Sequence, residues 1–230
     1  RVERRGGVEH ALRGGGPQLV PPTPPAQDLI ALVADSNQEA VLTALLDERR
    51  ASLQIRPVSH YVLRHPANDP GVYSQAESFL RPYSRTHNHA LVLLDCEWDG
   101  SPGDADTIEQ DLANRLQRNG WRPDNSLVLA INPEIENWAW RDKTRLSHAL
   151  GTDTTTIDAL AAAGRWWPAG ASKPTRPKEL LQAVMRQVRR PRSSSVYAEL
   201  ARALSLHDCH DPAFRRLCET LRRWFPVGLD

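Results

Sequence analysis

Apolar residues occur along this chain in short, unbroken runs that end on polar residues. One run occupies 28–34, a second 88–95 and a third 126–131, and each is rich in Leu, Val, Ile and Ala. A run of this length without strict alternation is typical of a strand buried on both faces, as in a parallel α/β sheet. We therefore predict strands at these three segments, and a fourth at 55–63, where the alternation is imperfect.

Between and after these runs, apolar residues recur at helical spacing. The segment 36–50 places Val41, Leu42, Leu45 and Leu46 on one face, which predicts an amphipathic helix. The same reasoning predicts helices at 71–82, 104–119, 154–164, 177–190, 195–206 and 212–225. Strands alternating with helices predict an α/β domain at 28–141, with a mainly parallel open sheet flanked by helices. The rest, 142–230, is predicted to be a helical C-terminal region packed on that domain.

Composition adds three expectations. Residues 1–27 hold five Gly and five Pro, and we interpret them as a disordered tail or a remnant added during cloning. No apolar run is long enough to cross a membrane, so we expect no membrane contact. The three cysteines have no disulfide-framework spacing, which favours a reducing, cytoplasmic setting.

The small net charge of +1 hides an uneven distribution of charge along the chain. Residues 28–150 hold 18 acidic and 12 basic side chains, whereas 171–230 hold 6 acidic and 12 basic. An acidic half beside a basic half fits a metal-binding head next to a surface for an anionic polymer. It also fits two halves that dock on each other.

Acidic residues follow the predicted central strand at alternate positions, namely Asp95, Glu97 and Asp99. In open α/β sheets ligands bind beyond the carboxyl ends of the strands, and alternate residues of an extended chain point the same way. Three converging carboxylates would repel one another without a cation, and oxygen ligands suit Mg²⁺ or Mn²⁺. The alternative is a solvated acidic loop.

Two further segments are predicted to share this crevice. Asp35 and Glu39 follow the first strand, and Asn132-Pro-Glu-Ile-Glu136-Asn-Trp138 follows the last. Together the three segments resemble the TOPRIM fold family, and most closely the small stand-alone TOPRIM-like proteins of bacterial defence islands, the RloB type. Asp35-Ser-Asn-Gln-Glu39 stands where that family has Glu-Gly-x-x-Glu, and Asp95-Cys-Glu97 where it has Asp-x-Asp. The third segment matches the pattern Asn-Pro-x-x-Glu-x-Trp as written.

The resemblance implies a TOPRIM-like fold and a metal-dependent nuclease that acts as one component of an antiphage system, with other defence proteins as partners. It implies one or two Mg²⁺ or Mn²⁺ ions on Asp95, Glu97 and an acid of the first segment, where Asp35 or Glu39 is a base or a ligand. Glu136 would complete the catalytic group. Asp99 is a further metal-ligand candidate, and Glu134 is a weaker candidate for the site.

Each of these assignments has a structural alternative. Glu39 has capping-box spacing from Ser36, Glu136 could pair with a nearby arginine such as Arg141, and Asp99 and Glu134 could be solvated. Asp for Glu at the first motif and Glu for Asp at the second leave open a second function, that of a non-catalytic scaffold binding nucleic acid or a partner.

The basic half supplies the predicted nucleic-acid contacts. Arg189, Arg190 and Arg192 lie close together, and the guanidinium group favours bidentate binding of phosphate. The alternative is an exposed helix face, or a set of ion pairs that dock the tail on the acidic half. A zinc site at His207, Cys209, His210 and Cys218 is a weaker hypothesis, because the spacing lacks a Cys-x-x-Cys pair.

Overall fold

A computed structural model describes residues 26–203 and 211–228. Its sheet has four parallel strands: β1 (Gln27–Val33), β2 (His60–Arg64), β3 (His87–Asp95) and β4 (Ser126–Ile131). The strand order is β2-β1-β3-β4, so β1 and β3 are central. The prediction of an α/β fold with a parallel open sheet flanked by helices is confirmed.

Helices cover both faces of this sheet. Between the strands lie α1 (Ser36–Glu48), the short α2 (Arg50–Leu53), α3 (Asn68–Leu80) and α4 (Ala105–Arg118). After β4 come α5 (Lys143–Leu150), α6 (Thr154–Gly164), α7 (Pro177–Gln187), α8 (Ser194–Ala203) and α9 (Pro212–Trp224). Single 3₁₀ segments occupy Arg81–Tyr83 and Ile135–Arg141.

The two faces of the sheet support separate apolar clusters, because successive strand residues point to opposite sides. Ile30 and Leu32 of β1 face the cluster formed with α3 and α4. Leu29, Ala31 and Val33 face a larger cluster, which α1 and the C-terminal helices share. The C-terminal helices and the sheet therefore have one continuous core.

The last helix packs against the sheet near the amino-terminal end of β3. Trp224 stacks on His89 of β3 with ring centroids 4.4 Å apart, and Phe225 meets the same imidazole edge-on at 5.2 Å. Because Trp224 is at the end of α9, this contact fixes the direction in which the helix crosses the sheet.

Some predicted boundaries were wrong. The strand predicted at 55–63 begins only at His60, and Ile55 instead forms an isolated bridge with Pro226. Pro57 lies between them and has no backbone N–H to give to a ladder. The N-cap of α1 is Asp35 rather than Ser36, since the Asp35 carboxylate accepts hydrogen bonds from the backbone of Asn37 and Gln38.

Two predicted features lie largely outside the described residues, and a third expectation concerns membranes. Most of the predicted tail, 1–25, and three of the four zinc candidates (His207, Cys209 and His210) lie outside the described ranges. Within 26–203 and 211–228, no helix combines the length and the apolar character that crossing a bilayer requires.

Candidate metal centre

Three buried carboxylates meet at the carboxyl edge of the sheet. Asp95 is the last residue of β3, and Glu134 and Glu136 follow β4, whose last residue Ile131 pairs in register with Asp95. Each of the three acids offers an oxygen within 4.8 Å of those of the other two. We call Asp95, Glu134 and Glu136 the acidic triad. All three are at most 6% exposed.

Asp95 is held by groups that fix its orientation. Its Oδ1 accepts one hydrogen bond from Nε2 of Gln38 at 3.0 Å and another from the backbone N–H of Ile135 at 3.0 Å. Gln38 is itself oriented, because its Oε1 accepts from the backbone N–H of Ala34 at 2.9 Å. Burial raises the pKa of Asp95 well above its usual range, and the charges of Asp69 and Glu136 raise it further.

Glu136 has one satisfied oxygen and one unsatisfied oxygen. Oε1 accepts a hydrogen bond of 2.5 Å from the hydroxyl of Tyr197 on α8. Oε2 is buried and has no hydrogen-bond partner. Burial is the largest cause of the raised pKa of the Tyr197 phenol. The negative charge of Glu136 raises this pKa further, and Arg192 lowers it. A buried carboxylate oxygen without a donor is costly unless a cation joins it.

Glu134 is paired with a lysine. Nζ of Lys178 lies 2.8 Å from Oε2, and the backbone N–H of Lys178 donates to Oε1 at 3.1 Å. Burial raises the pKa of Glu134, and the bond to Lys178 opposes that rise. Burial alone would lower the pKa of Lys178, but the bond to Glu134 and the charges of Glu136 and Asp95 raise it.

Asp69 is a fourth carboxylate at this edge. It lies in the first turn of α3, and its Oδ1 accepts a hydrogen bond of 2.8 Å from the backbone N–H of Asp95. Burial is the main cause that raises the pKa of Asp69; the bond from Asp95 opposes the rise and the Asp35 charge adds to it. Asp69 is only partly buried, so it connects the triad with the solvent side of the crevice.

The acids predicted from the first motif occupy other positions. Asp35 uses its carboxylate to cap α1, with Oδ1 2.8 Å from the backbone nitrogen of Asn37 and 2.9 Å from that of Gln38. The side chain of Glu39 is 41% exposed and lies 3.8 Å from Arg64. Neither belongs to the triad.

Glu97 and Asp99 also lie outside the triad and are exposed. The sequence argument assumed an extended backbone after Asp95, but the chain bends there. The backbone N–H groups of Cys96 and Glu97 both donate to the carbonyl of Pro133, at 3.0 and 3.2 Å. Because two successive amides share one acceptor, the alternation of side chains stops at Asp95.

Three residues near the triad were missed by the sequence argument: Asp69, Lys178 and Tyr197. Asp69 follows β2 closely, so the strand-end rule that selected Asp95 would also have selected it. Lys178 and Tyr197 come from helices 44 and 61 residues away from their partners. No local pattern in the sequence identifies such contacts.

The predicted phosphate-binding arginines have different environments. Arg190 donates to the backbone carbonyl of Ala149 at 2.9 Å and pairs with Glu199. Arg189 and Arg192 are exposed. Arg192 acts electrostatically on Tyr197 and so lies on the α8 side of the triad.

Two cavities of about 460 and 330 Å³ lie beside α4. Arg216 lines both cavities, and Glu109, with which it pairs, lines the larger one. Glu109 also accepts a hydrogen bond of 2.9 Å from the backbone N–H of Ala130 on the edge strand β4. We interpret this pair as polar side chains that provide a hydrogen-bond partner for the backbone at the open edge of the sheet.

A comparison with models of known protein families gave no match, and neither the curated proteins nor the solved structures gave a significant one.

Proposed function

We propose that the chain is a metal-dependent phosphodiesterase that cleaves nucleic acid as one component of a bacterial antiphage system. The observation that carries the chemical part is the buried acceptor Oε2 of Glu136, which faces no hydrogen-bond donor within a triad of carboxylates. The biological part, an antiphage system with defence-protein partners, rests on the resemblance of the three acidic segments to the RloB type, and the cytoplasmic setting rests on the spacing of the cysteines.

The residues fit a hard divalent cation. Asp95, Glu134 and Glu136 supply oxygen ligands only, which suits Mg²⁺ or Mn²⁺ better than a metal that prefers sulfur or nitrogen. When bound, such an ion would polarise the phosphodiester and lower the pKa of a bound water. The like charges of the triad, which are costly in isolation, would then have a counter-charge.

The protein groups around the triad have separate tasks in this proposal. Gln38 and the backbone of Ile135 orient Asp95, and Tyr197 orients Glu136. Asp69 is partly exposed and has a raised pKa, which makes it our candidate for accepting a proton from the attacking water.

Substrate binding would use the basic C-terminal helices. Arg192 is exposed beside Tyr197, so a phosphate bound there would lie near the triad. Arg189 is exposed nearby in the sequence and could contact the next phosphate. Arg190 has a structural role instead.

One observation favours a second candidate, a non-catalytic scaffold. Lys178 already neutralises Glu134, and instead of joining the triad Asp35 caps α1 and Glu39 lies in its first turn. A protein that kept the fold but lost the reaction could retain this arrangement. Such a protein would bind nucleic acid or a partner without a requirement for a divalent cation.

Cleavage assays with single- and double-stranded DNA and RNA in Mg²⁺ or Mn²⁺ test the first candidate. Asp95→Asn and Glu136→Gln should each abolish cleavage. Glu97→Gln is the matched control, since it removes a carboxylate two residues from Asp95 that is exposed and outside the triad, and it should cleave like the wild type. Metal-independent binding without cleavage by all four proteins would favour the scaffold.

A further inference from the structure

The backbone of Lys178 is fixed at the edge of the acidic triad. Its N–H donates to Glu134, and the carbonyl of the preceding Pro177 accepts a hydrogen bond of 2.9 Å from the indole of Trp140. Both Pro177 and Trp140 are buried. The first turn of α7 therefore cannot shift easily, and any change at this site falls on the Lys178 side chain.

The Lys178 side chain can move away from Glu134 with little change in the solvation of its ammonium group. It is 36% exposed, whereas Glu134 is only 5% exposed. The ammonium group therefore lies at the mouth of the site and the carboxylate inside it. Rotation about the long lysine stem would carry the charge into water without burying it anywhere else.

A divalent cation bound at Glu134 would repel the Lys178 ammonium. Like charges a few ångströms apart in a partly buried site are poorly screened, and a divalent ion repels the ammonium twice as strongly as a monovalent one. The ammonium is 2.8 Å from the Glu134 oxygen, so an ion bound to the triad would lie within a few ångströms of it.

We infer that Lys178 is the resident counter-ion of the triad, which yields Glu134 to the divalent cation and then binds a non-bridging oxygen of the substrate phosphate. The inference rests on the proposed function and adds to it a cation exchange and a named phosphate-binding group. No covalent step is involved, because one ion pair is replaced by another. Lys178 thus opposes metal binding and favours phosphate binding.

The opposite effects expected of Lys178 on metal binding and on phosphate binding can be tested with one variant. Lys178→Met keeps the length of the side chain and removes the charge. In the full chain at pH 7 it should lower the dissociation constant for Mn²⁺, measured by calorimetry, by about tenfold. With Mn²⁺ saturating, it should raise the dissociation constant for inorganic phosphate by about tenfold.

Lys173→Met is the matched control. Lys173 also pairs with a buried carboxylate, Asp211, at 3.3 Å, but it lies outside the triad. It should leave both dissociation constants within about twofold of the wild type, the scatter usual for a distant charge. Lys178→Gln, whose amide can still donate to Glu134, gives the same test if Lys178→Met does not fold.

The outcomes separate the inference from the proposed function. If the wild type binds Mn²⁺ and Asp95→Asn does not, but Lys178→Met binds it no more tightly than the wild type, the exchange is wrong and the metal site stands. If neither the wild type nor Lys178→Met binds Mn²⁺, both the exchange and the proposed function are wrong. A lysine with only a structural role would, on removal, weaken Mn²⁺ and phosphate binding together.

Discussion

The acidic triad concentrates charge where the protein offers few donors. Asp95 accepts two hydrogen bonds, and Glu134 forms an ion pair with Lys178. Glu136 retains an unsatisfied oxygen, although an unsatisfied buried acceptor costs about 1–3 kcal/mol. Crowded acids of this kind usually signal a function that offsets the cost, since apolar side chains of similar size would make the protein more stable.

We predict that Asp95→Asn stabilises the metal-free protein and that the gain grows with pH. The raised pKa of Asp95 means that the native state holds its proton more tightly than the unfolded state does. Stability from this group is complete below the usual Asp pKa, near 4, and is lost as the pH rises through the raised value. Each unit by which the pKa of Asp95 is raised corresponds to about 1.4 kcal/mol in the free energy of unfolding, lost as the pH rises. The uncharged asparagine would not lose it. Urea unfolding at pH 5, 6 and 7 in chelator measures the difference.

The same variant should lose the response to metal. An ion at 100 times its dissociation constant stabilises the wild type by about 2.7 kcal/mol, and Asp95→Asn should show none of this. The amide can still accept the hydrogen bonds from Gln38 and Ile135, so the fold is preserved. If Mn²⁺ shifts the melting temperatures of wild type and variant by the same amount, the triad is not a metal site.

The triad shows how far single residues can be read from sequence. The strand-end rule selected Asp95, which ends an apolar run, and the resemblance of the third motif selected Glu136, five residues after β4 ends. It failed for Glu97 and Asp99, because it could not anticipate the bend that the Pro133 carbonyl imposes after Asp95. The contacts of Tyr197 and Lys178 depend on how the C-terminal helices pack, which no short spacing encodes.

Helix α9 depends on one buried carboxylate at its start. Asp211 accepts from the backbone N–H of Phe214, which caps the helix, and from the indole of Trp138, each at 3.1 Å. Its other oxygen accepts from Nδ2 of Asn137 at 2.8 Å and pairs with Lys173. The residue therefore joins α9 to the 3₁₀ segment that carries Glu136.

We predict that Asp211→Ala destabilises the protein by about 3 kcal/mol. The variant loses a helix cap, leaves the indole of Trp138 without its acceptor, and leaves the buried amide of Asn137 with only the carbonyl of Asn132 as its acceptor. Asp153→Ala is the control, because Asp153 caps α6 in the same way but is exposed, and it should cost clearly less. Equal losses in denaturant unfolding would mean that Asp211 acts only as a cap.

Secondary structure followed from the sequence where one signal dominated. The apolar runs predicted β1, β3 and β4, and helical spacing predicted α9 at 212–225. Helix α5 and the 3₁₀ segment Ile135–Arg141 were not predicted, because their apolar residues are buried between elements distant in sequence. Tertiary packing, which overrides weak local preference, determined these segments.

The charge asymmetry of the chain is partly used for internal docking. Arg202 pairs with Glu48 at 2.7 Å, Arg216 pairs with Glu109, and Lys178 pairs with Glu134. In each pair a basic residue of the C-terminal half meets an acid of the sheet domain. The attraction between the halves is therefore real, but these pairs do not involve Arg189 or Arg192.

The two uses of the basic residues can be separated by the salt dependence of nucleic-acid binding. Replacing Arg189 and Arg192 together by Gln should reduce the slope of log K against log salt by about 1.4 for single strands and 1.8 for duplex DNA, since each phosphate contact contributes 0.7 or 0.9. Because both side chains are exposed, the melting temperature should stay near that of the wild type.

Replacing Arg202 and Arg216 by Gln removes the same charge from pairs that join the two halves, so it should lower the melting temperature and leave the slope unchanged. Titrations between 50 and 200 mM salt, each with a parallel melting curve, measure both quantities. If the first double variant keeps the wild-type slope, Arg189 and Arg192 do not contact phosphate, and the nucleic-acid surface must lie elsewhere on the protein.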